Sequence, residues 1–352
     1  MTHAEAAATH PSPAPPVDCG RTRPANDRCP PAWLALGLVG LLLTAGAGAA
    51  GAQAEGVPIE ARSPLTQARD VLASAEALRK AEGDALLDLK QIREAMAKPT
   101  PQQVSLPALR DEVIEPVAIA EMAREALVRV GWYYLCHRCD NWHLTLSGGY
   151  AIGECGVIAA CYHSIDPDGR DDMREGYLVA LDCERQVLPV RAVIAANETM
   201  DTVLLRIEGG RFTALALNDQ TRPGERAYLL SDPLGQTGYF SAGMINRFYW
   251  QGRDRNQNPD RLDGVGQLRI NISTDWAPGS SGAAVLDDRG NAIGHVKAIS
   301  PMRERPTGSD NDRFDGAVLI TLHEAVAARC VRLLLEDCQS QATAAPADAT
   351  DR

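Results

Sequence analysis

Phenylalanine is scarce in this chain, with 4 among 352 residues, and all aromatics together make up only 5%. A core of any size must therefore be built mainly from Val, Leu, Ile and Ala. Positive charge is also short: 35 Lys and Arg stand against 46 Asp and Glu, a net charge of −11. No basic stripe stands out, which argues against a nucleic-acid partner. Helical periodicity is missing from Val128 to about Thr321, which excludes an α/β or helical architecture for that region. What is present is 45% hydrophobic and 23% charged residues. That balance can bury one large domain with extensions, or two small ones.

Residues 1–31 are rich in Pro and Ala and are expected to be disordered. Arg21, Arg23 and Arg28 then precede an apolar run from Ala32 to Ala50, followed by Ala50-Gly51-Ala52 and Ala52-Gln53-Ala54. A basic flank, an apolar stretch and a small-residue exit read as a secretory signal, retained or cleaved. Residues 1–54 are thus expected to be a leader that exports the chain or holds it by one N-terminal membrane anchor at 32–50. The location implied is periplasmic or extracellular. Loss of the leader would remove Cys19 and Cys29.

Residues 55–115 read as a helical extension and linker. Ser63 and Pro64 suit a helix start, Pro99 and Pro101 a stop, and Val71, Leu78, Ala85 and Ile92 recur every seven residues. So thin a stripe has two readings: a homo-oligomer contact through the 63–98 helix, or packing against the main domain. A second short helix is expected from Pro116 to about Val128.

The main domain is expected over 116–338. Short apolar or alternating runs recur through it, among them Val128–Leu135, His143–Ile152, Val157–His163, Thr202–Ile207, Thr213–Leu217, Ala283–Leu286, Ala292–Ile299 and Ala317–Thr321. Turn clusters such as Asp166-Pro167-Asp168-Gly169 and Asp287-Asp288-Arg289-Gly290 separate them. Many short strands at this spacing mean an all-β sandwich or barrel. A helix from about His323 to Glu336 is expected to close the domain, with a disordered tail over 339–352.

Three stretches in this β region carry chemistry. Asp275-Trp276-Ala277-Pro278-Gly279-Ser280-Ser281-Gly282 is a tight turn running into the strand Ala283–Leu286. A hydroxyl on such a turn, among close backbone N–H groups, is what acyl transfer needs: a nucleophile with an oxyanion site beside it. Upstream, Gly156–Cys161 is an apolar strand leading to His163, and Asp201 immediately precedes the strand Thr202–Ile207. Each alone is commonplace: a turn, a satisfied His, a strand-edge charge. The three in this order, all within strands, are not.

With those residues in view, the chain resembles the trypsin-like serine peptidases of the chymotrypsin fold, nearest to the bacterial HtrA-type branch. That branch carries Gly-Val-Ile-x-Thr-Asn-x-His-Val, Asp-x-Ala-Leu-Leu-x-Ile and Pro-Gly-Asn-Ser-Gly-Gly, and the likeness spans roughly Val128 to Ala327. The resemblance implies two packed six-stranded β-barrels with the site in the cleft between them. It implies His163 as general base, Asp201 as the carboxylate orienting it, Ser281 as nucleophile, and the backbone N–H groups of Gly279 and Ser281 as oxyanion hole. Asp275, six residues before Ser281, and the strand stretch Gly294, His295 and Val296 are implied as substrate-binding. Protein or peptide substrates follow, with no cofactor and no metal. Ala160-Cys161-Tyr162 and Ser280-Ser281-Gly282-Ala283 depart from the pattern, and no PDZ module is expected after the peptidase domain.

Two other classes stay open: a protease-like binding protein without turnover, and a redox or metal protein built on Cys136-His137-Arg138-Cys139. For that cysteine pair the readings are a disulfide, then zinc with His143, then packed thiols. Each gives it a structural role, since Ser281 is already the nucleophile.

Overall fold

The computed structural model describes residues 64–153, 156–251, 268–304 and 317–344. The chain divides into two units, residues 1–61 and 62–352. The first, with the expected leader and the apolar run 32–50, lies outside the described residues. No helix among the described residues is long and apolar enough to cross a membrane.

Twelve strands form two closed antiparallel barrels of six. The first contains β1 (Leu127–Cys136), β2 (Trp142–Gly153), β3 (Val157–Ala160), β4 (Met173–Leu181), β5 (Val187–Asn197) and β6 (Thr202–Ile207). Its order is β1-β2-β3-β6-β5-β4. The second contains β7 (Arg226–Ser231), β8 (Tyr239–Trp250), β9 (Leu268–Ile272), β10 (Ala284–Leu286), β11 (Ala292–Arg303) and β12 (Val318–Ala327), in the order β10-β11-β12-β9-β8-β7. Closure gives every strand a partner on both sides, although the short β10 leaves the far part of β11 paired with β12 alone. The sequence supports it by alternation: Val128, Val130 and Trp132 of β1 point inward to Ile158, Leu178, Val203 and Leu205. Both cores are mainly aliphatic, joined by Trp132 in the first and Tyr228 and Trp276 in the second, and Phe212, Phe240 and Phe248 pack at their margins.

The helices cover the barrels. The expected single helix over 63–98 is two: α1 (Pro64–Glu82) and α2 (Leu89–Ala97). Gly83 enters a 3-10 turn at φ +52°, where glycine escapes the strain of a side chain, and Asp88 restarts the helix. The Asp88 carboxylate accepts from the Gln91 N–H, while the Gln91 side chain accepts from the Asp88 N–H. Ala75 of α1 packs with Leu72 and Leu78 on the outer faces of Tyr133 and Val179, and Ile92 and Met96 of α2 join the first barrel's core. Of the heptad stripe, Ile92 thus joins the first barrel's core and Leu78 packs on its outside, while Ala85 is exposed.

α3 (Pro116–Ala126) and α5 (Ala328–Ala344) both pack on the core shared with the second barrel. Expected at His323, the C-terminal helix begins at Ala328, because Glu324–Val326 pair with β11 on one side and β9 on the other. The apolar run Ala325–Ala328 suits either state, and the two ladders decide it. The helix also continues through Ala344, beyond the expected boundary at 338. Thr213–Leu217, expected as a strand, is the connector between barrels. Leu215 N–H donates to Ala151 O of the first, and Ala292 N–H of the second donates to Ala216 O, both at 2.8 Å.

Candidate active site

His163 sits on α4 (Tyr162–Ile165), a single turn that follows β3. Asp201 ends the hairpin turn between β5 and β6 with φ +56°, a left-handed conformation that Asp tolerates better than most side chains. The turn is held by Met200 N–H donating to Asn197 Oδ1 and Asp201 N–H donating to Glu198 O, both at 2.9 Å. Because β3 pairs with β6, with Ala160 opposite Val203, the His turn and the Asp turn leave the same end of the sheet. His163 Nδ1 lies 2.9 and 3.0 Å from the two Asp201 oxygens, and the His163 backbone N–H donates to Oδ1 at 3.0 Å. Asp201 is buried and half of the His163 side chain is exposed. Burial alone would raise the Asp201 carboxyl, but these bonds from His163 outweigh it and hold the group below the usual carboxylate value.

The serine turn enters from the second barrel. Gly279 and Gly282 have φ +102° and +84°. A Cβ on Gly279 would lie 2.7 Å from Asp232 O, and one on Gly282 would collide with Gly148 O of the first barrel. Both positions therefore require glycine. The turn is tied to the His turn through hydroxyls: Ser164 donates to Ser147 Oγ (3.1 Å), and Ser147 donates to Ser281 O (2.8 Å). Ser280 is fully buried against the Ser231 hydroxyl at 3.0 Å, whereas Ser281 is partly exposed. Ser280, Gly282 and Ala283 N–H donate to Ala277 O, Val296 O and Ser280 O. Among the described residues, the N–H groups of Gly279 and Ser281 donate to no protein acceptor.

The residues expected to bind substrate lie on β11 and before the serine turn. Gly294 and His295 are paired on both edges, with Val285 and Ala284 of β10 and with Ala327 and Val326 of β12. Val296 N–H donates to Ala283 O, and Val296 O accepts from Gly282 N–H and, at 3.1 Å, the Cys161 thiol. None of the three presents free backbone. β10 ends opposite His295, so from Lys297 to Ile299 β11 has no strand beside it on that edge, where Ala298 O accepts from the Trp276 indole N–H at 3.1 Å. Asp275 is exposed, with the Tyr239 hydroxyl 3.5 Å from Oδ2, rather than at the floor of a buried pocket.

Two neighbours of Asp201 escape a reading by motif. Lys297 Nζ stands 4.0 Å from Asp201 Oδ2, the oxygen that His163 Nδ1 approaches to 2.9 Å. Nothing in the local sequence of β11 marks it. His295 is fully buried, with Nε2 3.2 Å from Asp201 O and Nδ1 without a hydrogen-bond partner among the described residues. Burial lowers its pKa to about 4, so it is neutral. Cys161, also fully buried, is pushed well above the ordinary thiol value by burial and stays protonated.

Cys136 and Cys139 are thiols, not the disulfide ranked first. They lie on the β1–β2 turn with His143, whose Nε2 is 3.0 Å from Cys139 Sγ. The Asn141 backbone N–H holds the Cys139 thiol below its usual value.

Residues 147–294 match a family model described as a trypsin-like peptidase domain, a span that includes His163, Asp201 and Ser281. That match and the two six-stranded barrels fit a chymotrypsin-fold protease. No curated protein matches the chain.

Proposed function

We propose that the protein is a serine endopeptidase acting on protein substrates. The observation that carries this reading is the His163–Asp201 pair at 2.9 Å, built where two barrels bring in a glycine-flanked, accessible Ser281. Asp201 fixes the imidazole tautomer with the proton on Nδ1, leaving Nε2 to take the Ser281 proton as Oγ attacks the scissile carbonyl. The oxyanion meets the uncommitted N–H groups of Gly279 and Ser281. The imidazolium then protonates the leaving amine, and water hydrolyses the acyl-enzyme by the same route in reverse. The substrate backbone pairs with β11 from Lys297 to Ile299 as an added strand.

The reading extends to an exported or membrane-anchored enzyme of HtrA type in envelope protein quality control, on the leader and the motif likeness. The second reading, a protease-like binding protein with weak or no turnover, is favoured by one observation. Among the described residues Ser281 Oγ makes no hydrogen bond, although such bonds often tighten only with substrate bound. Hydrolysis of an unfolded protein and of a peptide library, wild type beside Ser281→Ala, separates the two. Turnover in the wild type alone supports the peptidase. Equal, negligible turnover with retained peptide binding supports the binding protein.

A further inference from the structure

The β1–β2 hairpin has two ends with different roles. At one end, Ser147 and Gly148 touch the serine turn. At the other, residues 136–143 collect two thiols and an imidazole that the proposed chemistry does not use. The Cys136, Cys139 and His143 ligand atoms all lie within 4.8 Å of one another. His143 is four residues up β2 from Ser147, roughly 13 Å at about 3.3 Å per residue, so the cluster stands apart from the triad.

The local backbone explains the convergence. Cys136 N–H donates to Asn141 O at 2.8 Å and Asp140 N–H donates to Cys136 O at 3.2 Å, which closes the turn and sets Cys139 back over Cys136. Asp140 makes the closure with φ +55°. The Arg138 N–H points at Cys136 Sγ from 3.4 Å, which holds that sulfur on the inner side of the turn. The pairing of Tyr134 with His143 then swings the imidazole over the same spot, against Cys139 Sγ. A tetrahedral zinc with Zn–S of about 2.3 Å and Zn–N of about 2.0–2.1 Å separates its ligand atoms by roughly 3.5–3.8 Å. The cluster needs only side-chain adjustment to reach that spacing.

We propose that Cys136, Cys139 and His143 bind one Zn²⁺ as a structural clasp of the β1–β2 hairpin, with solvent as fourth ligand. Binding displaces a proton from each thiol and leaves the imidazole neutral, so affinity falls as pH falls. Cys139 is exposed and Cys136 buried, so the metal would close the turn from outside. The other grouping of ligand-type side chains, Cys161, His163 and Asp201, fits worse: its thiol is protonated and donates to Val296 O, and its imidazole and carboxylate are already paired.

The test uses the full chain, purified and kept reduced. Metal content after dialysis against zinc, and the thiolate-to-metal absorption on adding Co²⁺, are measured for wild type, Cys139→Ser, His143→Ala and Cys161→Ala. The proposal expects about one zinc per chain and tetrahedral cobalt–thiolate bands in the wild type and Cys161→Ala. It also expects a Tm raised by about 5 °C or more at saturating zinc, as a ligand bound only by the native state requires. Cys139→Ser and His143→Ala should lose the bands and the Tm shift while keeping the native circular dichroism. No zinc retained by reduced, folded wild type would overturn the proposal. So would metal that survives Cys139→Ser but not Cys161→Ala, or a Cys136–Cys139 disulfide that re-forms in excess zinc when reductant is removed.

Discussion

The two barrels share a topology but not a texture. In the first, β1, β3 and β6 are buried almost from end to end, and α1 and α2 pack on its outside. In the second, β8 and the far halves of β11 and β12 stand in solvent, with Met302, Leu319 and Ile320 exposed. The first supplies His163 and Asp201, whose mutual geometry has to be fixed to a fraction of an ångström. The second supplies the serine turn and the stretch of β11 beyond the reach of β10. In the proposed function, the more packed half would hold the acid–base pair and the more open half would meet the substrate. The joint between them includes Ser147 and Gly148 against Ser281–Ala283, the Cys161 thiol on Val296 O, His295 Nε2 against Asp201 O and the partly buried Arg129–Asp232 ion pair.

The largest effect that would test this division is chemical. His163→Ala, Asp201→Ala and Ser281→Ala should each reduce kcat/KM on the order of a thousandfold or more with the fold retained, read by peptide hydrolysis and circular dichroism. A variant that keeps a tenth of wild-type activity removes its residue from the triad. Next comes packing, with one substitution made in each half. Leu178→Ala, in the closed first barrel, should cost about 2–5 kcal/mol, whereas Leu319→Ala, exposed at the far end of β12, should stay within about 0.5 kcal/mol. Equal costs in urea unfolding would erase the contrast.

The third effect is on pH. His295 has a folded pKa of about 4 against 6.5 unfolded. Above 6.5 neither state binds the proton; between 6.5 and 4 only the unfolded state does, so stability falls as pH falls through that window. The loss from this one residue should be on the order of 3 kcal/mol, complete by pH 4. In denaturant titrations from pH 7 to 4, His295→Gln should flatten that part of the curve. Parallel curves for wild type and variant would refute the buried neutral imidazole. The smallest effect is on specificity. Asp275→Asn should change kcat/KM on Lys- and Arg-containing peptides by less than about threefold, because an exposed carboxylate is screened by water.

How much of this was legible beforehand depended on range. The residues proposed as a triad stand out in the sequence because each is marked by its immediate neighbours: apolar β3 before His163, apolar β6 after Asp201, two glycines around Ser281. The short alternating runs and turn clusters carry no more than an all-β sandwich or barrel, and the two six-stranded barrels are what the family resemblance implies. What could not be read depended on long-range pairing. Whether Gly294–Val296 faces substrate is decided by where β10 stops, 10 or so residues away in sequence on the ~3.3 Å-per-residue ladder, and nothing local records it. The C-terminal helix start was misplaced for the same reason, since two ladders claim Glu324–Val326. Lys297 and His295 carry no motif, because proximity to Asp201 is a property of the folded cleft.

The central claim is that Ser281 is a nucleophile activated by His163. It is tested most directly by labelling the protein with a fluorophosphonate and mapping the modified peptide. The account predicts one adduct, on Ser281, that persists in Ser280→Ala and disappears in His163→Ala. An adduct on Ser280, or no adduct on folded wild type, would contradict it.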